Sequence, residues 1–179
     1  PVSAEVVSDN AEGMVAEGRA LAELHEHVIV KTPFSTAGLT ACNELSEDGI
    51  RINMTLVFSA NQALLAAEAG ATYISCFMGR LDDISINSAD VVAEIVAALR
   101  PGGTQSQVLA ASLRHPEHVI TAARLGCEVS TAPAKVLHQM LDHPLTTAGI
   151  ERFAADWKQR PEFGEWLKGL VDSRAAAAR

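Results

Sequence analysis

Six short apolar segments recur along the chain, each followed by a stretch with helical periodicity, and this repeat limits the possible folds more than any other feature. We expect strands at residues 2–7, 28–32, 50–55, 73–77, 107–112 and 127–130. Strand–helix repeats of this spacing build βαβ units with right-handed crossovers, which predicts a parallel sheet. Two α/β architectures fit the pattern, an open doubly wound sheet and a closed (β/α)8 barrel, although a barrel has two units more than the six visible here.

The segments between the strands carry ordinary helix start and stop signals. Asn10 is placed to cap the first helix, and Ser88 precedes an apolar stripe of helical period. Pro116 and Gly126 occupy positions typical of the first residue and the C-terminal cap of a helix. After the sixth strand, we expect three more helices, at residues 133–142, 146–159 and 161–176.

Composition and charge exclude several classes of function. The formal net charge of −8 argues against a nucleic-acid-binding surface. No apolar run is long enough to span a bilayer. Cys42, Cys76 and Cys127 form no C-x-x-C pair, which favours free thiols in a reduced, cytoplasmic compartment. Residues 1–179 are interpreted as a single domain that includes the C-terminal helices at 146–176.

The second predicted strand ends on a lysine, although lysine is rarely buried unless it is paired or used. In parallel α/β folds the C-terminal ends of the strands carry the chemistry, so we expect the polar residues there to converge. These residues are Glu5, Lys31, Asn53, Thr55, Ser75, Arg80, Ser112 and Arg114, with Ser130 and Thr131 after them.

This set has a chemical meaning and also a plainer interpretation. Burial favours the free amine of Lys31, which can form a Schiff base with a carbonyl substrate, and two arginines can hold a phosphate. Alternatively, Lys31 is a barrel lysine in a salt bridge to Glu5, and the arginines cap surface helices. Thr55 and Ser112 would then only fill space. The histidines show no spacing typical of metal ligands, and no metal or organic cofactor is expected.

Five blocks of sequence resemble the short-type transaldolase and fructose 6-phosphate aldolase family. The blocks are VIVKTPFSTAGL, GIRINMTLVFSANQALLAAEAGA, FMGRLDD, VLAASLR and HPLTTAGIERFAADW, and they run in order over nearly the whole chain. The resemblance implies a (β/α)8 TIM barrel and class I aldolase chemistry. It also implies sugar phosphate substrates, and a homo-oligomer, a decamer in particular, assembled through the C-terminal helix.

The resemblance assigns roles to individual residues. Lys31 would form the Schiff base, and Glu5 would act as acid and base through a water held by Thr55. The family's substrate-binding positions fall on Asn53, Ser75 and Phe77, and its phosphate-binding positions fall on Arg80, Ser112 and Arg114.

Three of these residues separate the two branches of the family. The aldolase branch has a tyrosine and a glutamine where this chain has Phe77 and Glu5, and this chain also keeps Asn53. The transaldolase branch is therefore favoured, which implies transfer of a dihydroxyacetone unit between sugar phosphates in the pentose phosphate pathway. The alternative is a fructose 6-phosphate aldolase that releases free dihydroxyacetone.

The chain also departs from the family pattern. Cys76 replaces a usual proline, and Leu113 replaces a usual aromatic residue. The family's first two strands, with an aspartate and an asparagine of the site, have no counterpart here, and we expect an upstream segment to supply them. A second alternative is therefore an inactive barrel fragment that serves as an assembly module.

Overall fold

The structure is a computed structural model, and it describes residues 1–177. The strands are β1 (Val2–Glu5), β2 (Val28–Pro33), β3 (Ile52–Val57), β4 (Tyr73–Phe77), β5 (Gln107–Ala111) and β6 (Val129–Ser130). The helices are α1 (Ala11–Ala22), α2 (Thr36–Glu47), α3 (Ala60–Glu68), α4 (Met78–Asp83), α5 (Ser88–Leu99), α6 (Pro116–Leu125), α7 (Ala134–Leu141), α8 (Pro144–Lys158) and α9 (Pro161–Ala177). A 3₁₀ turn at Arg100–Gly102 follows α5.

The six strands form one parallel sheet in the order in which they occur along the chain. A doubly wound sheet reverses its strand order at a switch point, whereas a barrel adds each strand beside the preceding one. Ser3 of β1 and Ser130 of β6 line the same cavity, so the sheet curls until its two edge strands face each other across an interior. The fold is therefore a partial α/β barrel of six strands. The eight-stranded barrel stays an expectation.

Several predicted strand limits are wrong by one or two residues, for local reasons. β1 ends at Glu5 because the amides of Val7 and Ser8 donate to the Glu17 carboxylate instead of a neighbouring strand. β3 begins at Ile52 because the Ile50 amide donates to the carbonyl of Leu45 at the end of α2. The remaining differences are similar: β2 and β3 run to Pro33 and Val57, β5 stops at Ala111, and β6 begins at Val129.

Side-chain caps fix most of the helix starts. The Asn10 side chain accepts a hydrogen bond from the Gly13 amide, as expected for the start of α1. α5 begins at Ser88, which precedes the apolar stripe noted in the sequence, and the Asn87 side chain caps it by accepting from the Ala89 amide. α6 begins at Pro116, and Gly126 has the left-handed conformation (φ 88°) that glycine tolerates at a helix end.

The main core lies between the outer face of the sheet and the helices that cover it. Val30, Ile52 and Ile74 of the strands are fully buried there, against Leu45 of α2 and Ile95 of α5. Each such side chain contributes about 1.5–3 kcal/mol by leaving water. This packing fixes the outer face of every central strand, and the opposite face is left to carry polar side chains.

Contacts divide the chain into two compact units, residues 1–137 and a unit that begins at His138. The second unit contains α8 and α9, whose aromatic side chains Phe153, Trp157 and Trp166 are all exposed. None of the helices within residues 1–177 is long and apolar enough to cross a membrane. The expected helices at 146–159 and 161–176 correspond to α8 and α9, each slightly longer than predicted.

Candidate active site

Lys31 and Glu5 form an ion pair at the C-terminal ends of two neighbouring strands. They are register partners on β1 and β2, and the distance from Lys31 Nζ to Glu5 Oε2 is 2.8 Å. The lysine side chain keeps 25% of its surface exposed and the glutamate side chain 49%, so Lys31 is less buried than the sequence suggests. The salt bridge considered as an alternative for Lys31 is present. It also brings a proton acceptor to the amine.

A cavity of about 200 Å³ opens on the inner face of the sheet beside this pair. Its walls come from all six strands or the residues that follow them. The lining residues are Ser3, Lys31, Asn53, Ser75, Phe77, Leu109, Ala111, Ser112 and Thr131. Five of the residues predicted to form the site therefore meet at one cavity: Lys31, Asn53, Ser75, Phe77 and Ser112.

A chain of hydrogen bonds crosses the cavity wall and fixes the Asn53 amide. The Ser75 hydroxyl donates to Asn53 Oδ1 over 2.6 Å, and Asn53 Nδ2 donates to Ser3 Oγ over 3.0 Å. Because the donor and the acceptor ends have different partners, the orientation of the amide is determined. Ser3 was not singled out from the sequence, although its position two residues before Glu5 puts it on the same face of β1.

Thr55 is 1% exposed and is not among the residues that line the cavity. Its Oγ1 has no hydrogen-bond partner within the part of the chain that the structure describes. A buried hydroxyl without a partner costs about 1–3 kcal/mol, so such groups are usually satisfied by ordered water.

The two predicted phosphate-binding arginines lie outside the cavity lining: Arg80 is in α4, and Arg114 is in the loop between β5 and α6. The Arg80 guanidinium carbon stands 5.0 Å from the centre of the Phe77 ring. Arg114 Nη2 is 2.7 Å from Asp83 Oδ2 in an exposed ion pair. Ser112 lines the cavity, so one of the three predicted phosphate ligands contributes to its wall, whereas Arg80 and Arg114 do not.

The two segments that carry these arginines, α4 and the loop after β5, approach each other closely. The Gly79 amide donates to the Ser112 carbonyl over 3.1 Å, and a β-carbon at Gly79 would collide with that oxygen. Ser112 itself has a left-handed backbone (φ 57°), which is rare outside glycine and asparagine and often marks a functional loop. Sequence patterns carry no signal for either feature.

Two aspartates that the sequence analysis did not assign to the site connect α4 to the segment that follows β5. Asp82 and Asp83 of α4 contact His118 and Arg114 respectively, although nothing in the sequence relates the two segments. Within residues 1–177, no group of three or more His, Cys, Asp or Glu is placed to hold a metal ion. The functional groups at or beside the cavity are an amine, a carboxylate, an amide and several hydroxyls.

The chain is similar to known proteins over most of its length. The family model described as transaldolase/fructose-6-phosphate aldolase matches residues 1–163. A probable transaldolase of Moorella thermoacetica is 57% identical over 159 residues, which are 89% of this chain and 74% of that protein. A probable transaldolase of Thermoanaerobacter sp. (strain X514) is 52% identical over the same shares of the two chains, 89% and 74%. One of Methanococcus maripaludis is 50% identical over 88% of this chain and 74% of its own length.

Proposed function

The chain belongs to the transaldolase/fructose-6-phosphate aldolase family, and on this premise we propose that it transfers a dihydroxyacetone unit between sugar phosphates through a Schiff base on Lys31. The observation that carries the proposal is the position of Lys31. Among residues 1–177, Lys31 is the only lysine that lines the cavity, and a carboxylate oxygen of Glu5 lies 2.8 Å from its amine. An amine that can pass its proton to a neighbouring carboxylate is prepared for nucleophilic attack.

The first half of the reaction builds and breaks bonds on the donor ketose. Lys31 Nζ attacks the ketone carbon C2, the carbinolamine loses water, and a protonated imine forms. The imine accepts the electron pair of the C3–C4 bond as that bond breaks, while a base removes the proton from the C4 hydroxyl. Glu5 is the carboxylate nearest to this chemistry. An aldose phosphate leaves, and a three-carbon enamine stays on the lysine.

The second half reverses these steps with another aldehyde. The enamine carbon attacks the acceptor carbonyl, the new alkoxide is protonated, and water hydrolyses the imine to free Lys31. The buried Thr55 hydroxyl supports a role for this residue in holding a water for Glu5, because it has no protein partner among the described residues. Asn53, with its orientation fixed by Ser3 and Ser75, is suited to bind the substrate hydroxyls.

Recognition of the phosphate is assigned to the rim of the cavity. Ser112 lines the cavity, Arg80 of α4 lies against the Phe77 ring, and Arg114 follows Ser112 in the loop between β5 and α6. A phosphate dianion bound between the two arginines would replace Asp83 as the ionic partner of Arg114. Binding energy from this remote group then orients the reacting carbons over Lys31.

Phe77 supports the transaldolase branch over the aldolase branch. Its ring lines the cavity and has no proton to donate, so the enamine would persist until an acceptor aldehyde arrives. An aldolase that releases free dihydroxyacetone needs a group that protonates the enamine first.

Assembly into a homo-oligomer is a separate proposal, which the second unit of the chain supports. Phe153, Trp157 and Phe163 line an apolar cavity of about 380 Å³ on α8 and α9, and Trp157 is 61% exposed. Large exposed aromatic patches usually mark interaction surfaces. Light scattering coupled to size exclusion tests it: a mass of a single chain at micromolar concentration would contradict this proposal.

A two-substrate assay tests the proposed reaction. The protein is incubated with fructose 6-phosphate, with and without erythrose 4-phosphate, and the products are separated by mass spectrometry. A transaldolase forms sedoheptulose 7-phosphate, and more than one equivalent of glyceraldehyde 3-phosphate per site, only when the acceptor is present. Release of free dihydroxyacetone without an acceptor would favour the aldolase alternative, and no turnover would favour the inactive assembly module.

A further inference from the structure

His118 of α6 is a buried histidine, outside the cavity, with a defined partner on each ring nitrogen. It is 9% exposed, and its Nε2 lies 3.0 Å from Asp82 Oδ2. Its Nδ1 accepts a hydrogen bond from the backbone amide of Arg114 over 3.3 Å. An accepting Nδ1 carries no proton, so this geometry requires the neutral ring protonated on Nε2.

The carboxylate that receives His118 is itself held in place. The Ser88 amide donates to Asp82 Oδ1 over 3.1 Å, and the Ser88 hydroxyl donates to Asp82 Oδ2 over 3.0 Å. Asp82 therefore joins α4 to the start of α5, and His118 extends this connection to the loop between β5 and α6. The path runs from α4, which carries Arg80, to the backbone of Arg114.

Two further contacts join the same pair of segments. Gly79 donates to the Ser112 carbonyl over 3.1 Å, and Arg114 pairs with Asp83. The backbone bond depends on no side chain, and the Arg114–Asp83 pair is exposed and would be lost when a phosphate takes the guanidinium. His118 is then the side chain that still holds the Arg114 backbone against α4.

We propose that His118 is a positioning residue that sets the separation of Arg80 and Arg114, and that protonation of its ring weakens phosphate binding. The inference rests on the proposed function, since it takes these arginines as the phosphate ligands. A protonated His118 has a donor at Nδ1 facing another donor, the Arg114 amide. The loop must then move or lose its bond, and the spacing of the two arginines is no longer fixed.

Burial is the main reason that the neutral form of the His118 ring is favoured. Burial lowers the pKa of His118 below its ordinary value of 6.5, and the neighbouring His115 and Arg114 lower it further, against the opposing effect of Asp82. The His115 ring lies 3.8 Å away, and Asp83 of α4 is the remaining charge facing the group, through Arg114. A lowered pKa means that the neutral form prevails above 6.5, and that the connection is lost as the pH falls through the lowered value.

The two amide residues separate the functions of the two ring nitrogens. His118→Asn puts an amide oxygen near the position of Nδ1 and can accept from Arg114, but it does not reach Asp82. His118→Gln reaches Asp82 with an amide N–H and leaves the Arg114 amide without its acceptor. His138→Asn, at an exposed position on α7, is the control for loss of a histidine.

Two measurements are made on all four proteins between pH 5.5 and 8. The first is the KM for fructose 6-phosphate divided by the KM for unphosphorylated fructose, with kcat recorded for both. The second is the dissociation constant of sulfate from NMR titration, because sulfate stays a dianion over this range and needs no turnover. The substrate phosphate itself titrates in this pH range. Dividing the KM ratio of each variant by that of the wild type at the same pH cancels this effect.

The proposal predicts that His118→Gln raises the KM ratio and the sulfate dissociation constant about tenfold at pH 7.5, as expected for one lost hydrogen bond to a positioned loop. The kcat of His118→Gln with fructose stays within about twofold of the wild-type value, since fructose carries no phosphate and does not depend on the phosphate-binding residues. The wild type should lose sulfate affinity below pH 6.5, and His118→Asn should keep its affinity there. His138→Asn should match the wild type throughout.

Equal losses with both sugars in His118→Gln would mean a purely structural residue and overturn the proposal. A sulfate dissociation constant in His118→Gln equal to that of the wild type would also overturn the proposal. So would a His118→Asn protein that loses sulfate affinity below pH 6.5 as the wild type does. If the wild type fails to turn over either sugar while sulfate still binds in the predicted pattern, the positioning role stands and the proposed reaction fails. The two ideas are thus tested separately.

Discussion

The ammonium nitrogen of Lys31 lies 2.8 Å from a carboxylate oxygen of Glu5, and the parallel register of β1 and β2 places the two residues side by side. A one-residue slip of either strand would send one of the two side chains to the opposite face of the sheet. The outer face of β2 is buried, with Val30 and Thr32 both at 0% exposed, and this opposes a slip of that strand. Core packing on one side of the sheet therefore fixes the ion pair on the other.

Replacing Glu5 by glutamine should impair catalysis more than binding. The amide cannot take a proton from Lys31 or return one, and a positioned acid or base typically contributes about 10²–10⁴ in rate. We expect kcat to fall by that amount, with a smaller change in the KM for fructose 6-phosphate. Glu12→Gln, in the exposed first turn of α1, is the matched control. Similar rates for the two variants would refute a role for Glu5 in proton transfer.

Replacing Ser75 by alanine should destabilise the protein. Asn53 is 4% exposed, and its Oδ1 would lose the 2.6 Å bond from the Ser75 hydroxyl. Leaving a buried acceptor unsatisfied costs about 1–3 kcal/mol in the free energy of unfolding, which urea denaturation measures. Ser3→Ala removes the other partner of the same amide at an exposed position, and water can replace it there. Equal losses in both variants would contradict this account of the Asn53 environment.

Replacing Phe77 by tyrosine should shift the products towards free dihydroxyacetone. A phenolic hydroxyl in the cavity can protonate the enamine before an acceptor arrives, whereas a phenyl ring cannot. The readout is the ratio of dihydroxyacetone to sedoheptulose 7-phosphate at a fixed erythrose 4-phosphate concentration. Phe58→Tyr adds the same hydroxyl to the ring that packs edge-on against Phe77 and should leave the ratio unchanged. A constant ratio in both variants would mean that Phe77 does not select the branch.

The three cysteines should react slowly with a thiol reagent in the native protein. Burial raises the pKa of Cys42 and of Cys76 to about 12, and that of Cys127 to about 11. The thiolate is the reactive form, so at pH 8 almost none is available. Dithionitrobenzoate should release little colour from the folded protein and three equivalents after denaturation. Rapid reaction of any thiol in the folded protein would contradict the described packing.

The sequence predicted six strands in a parallel sheet and much of the cavity wall, because these follow from local patterns. Residues such as Lys31, Asn53 and Ser75 are found by one rule, that polar side chains at the ends of parallel strands share one face. The limits of β1 and β3 were missed, because they depend on where single amides such as those of Val7 and Ile50 find acceptors.

The connections around the cavity were not accessible from the sequence. The sequence did not relate Asp82 and Asp83 to other residues, because their partners lie 36 and 31 residues further along the chain, at His118 and Arg114. The partial exposure of Lys31 likewise depends on how the sheet curls, and the hydrophobic periodicity of the sequence does not predict the curvature of a sheet. Local chemistry was therefore predictable, whereas the contacts that position it were not.

Trapping the Schiff base is the most direct test of the account. The protein is incubated with fructose 6-phosphate and borohydride, and the reduced adduct is mapped by peptide mass spectrometry. We predict one added three-carbon unit, confined to Lys31, and none on Lys135, Lys158 or Lys168, which lie on α7, α8 and α9. Lys31→Arg should keep the positive charge and form no adduct. An adduct on another lysine, or none on a wild-type protein that binds sugar phosphate, would contradict the central claim.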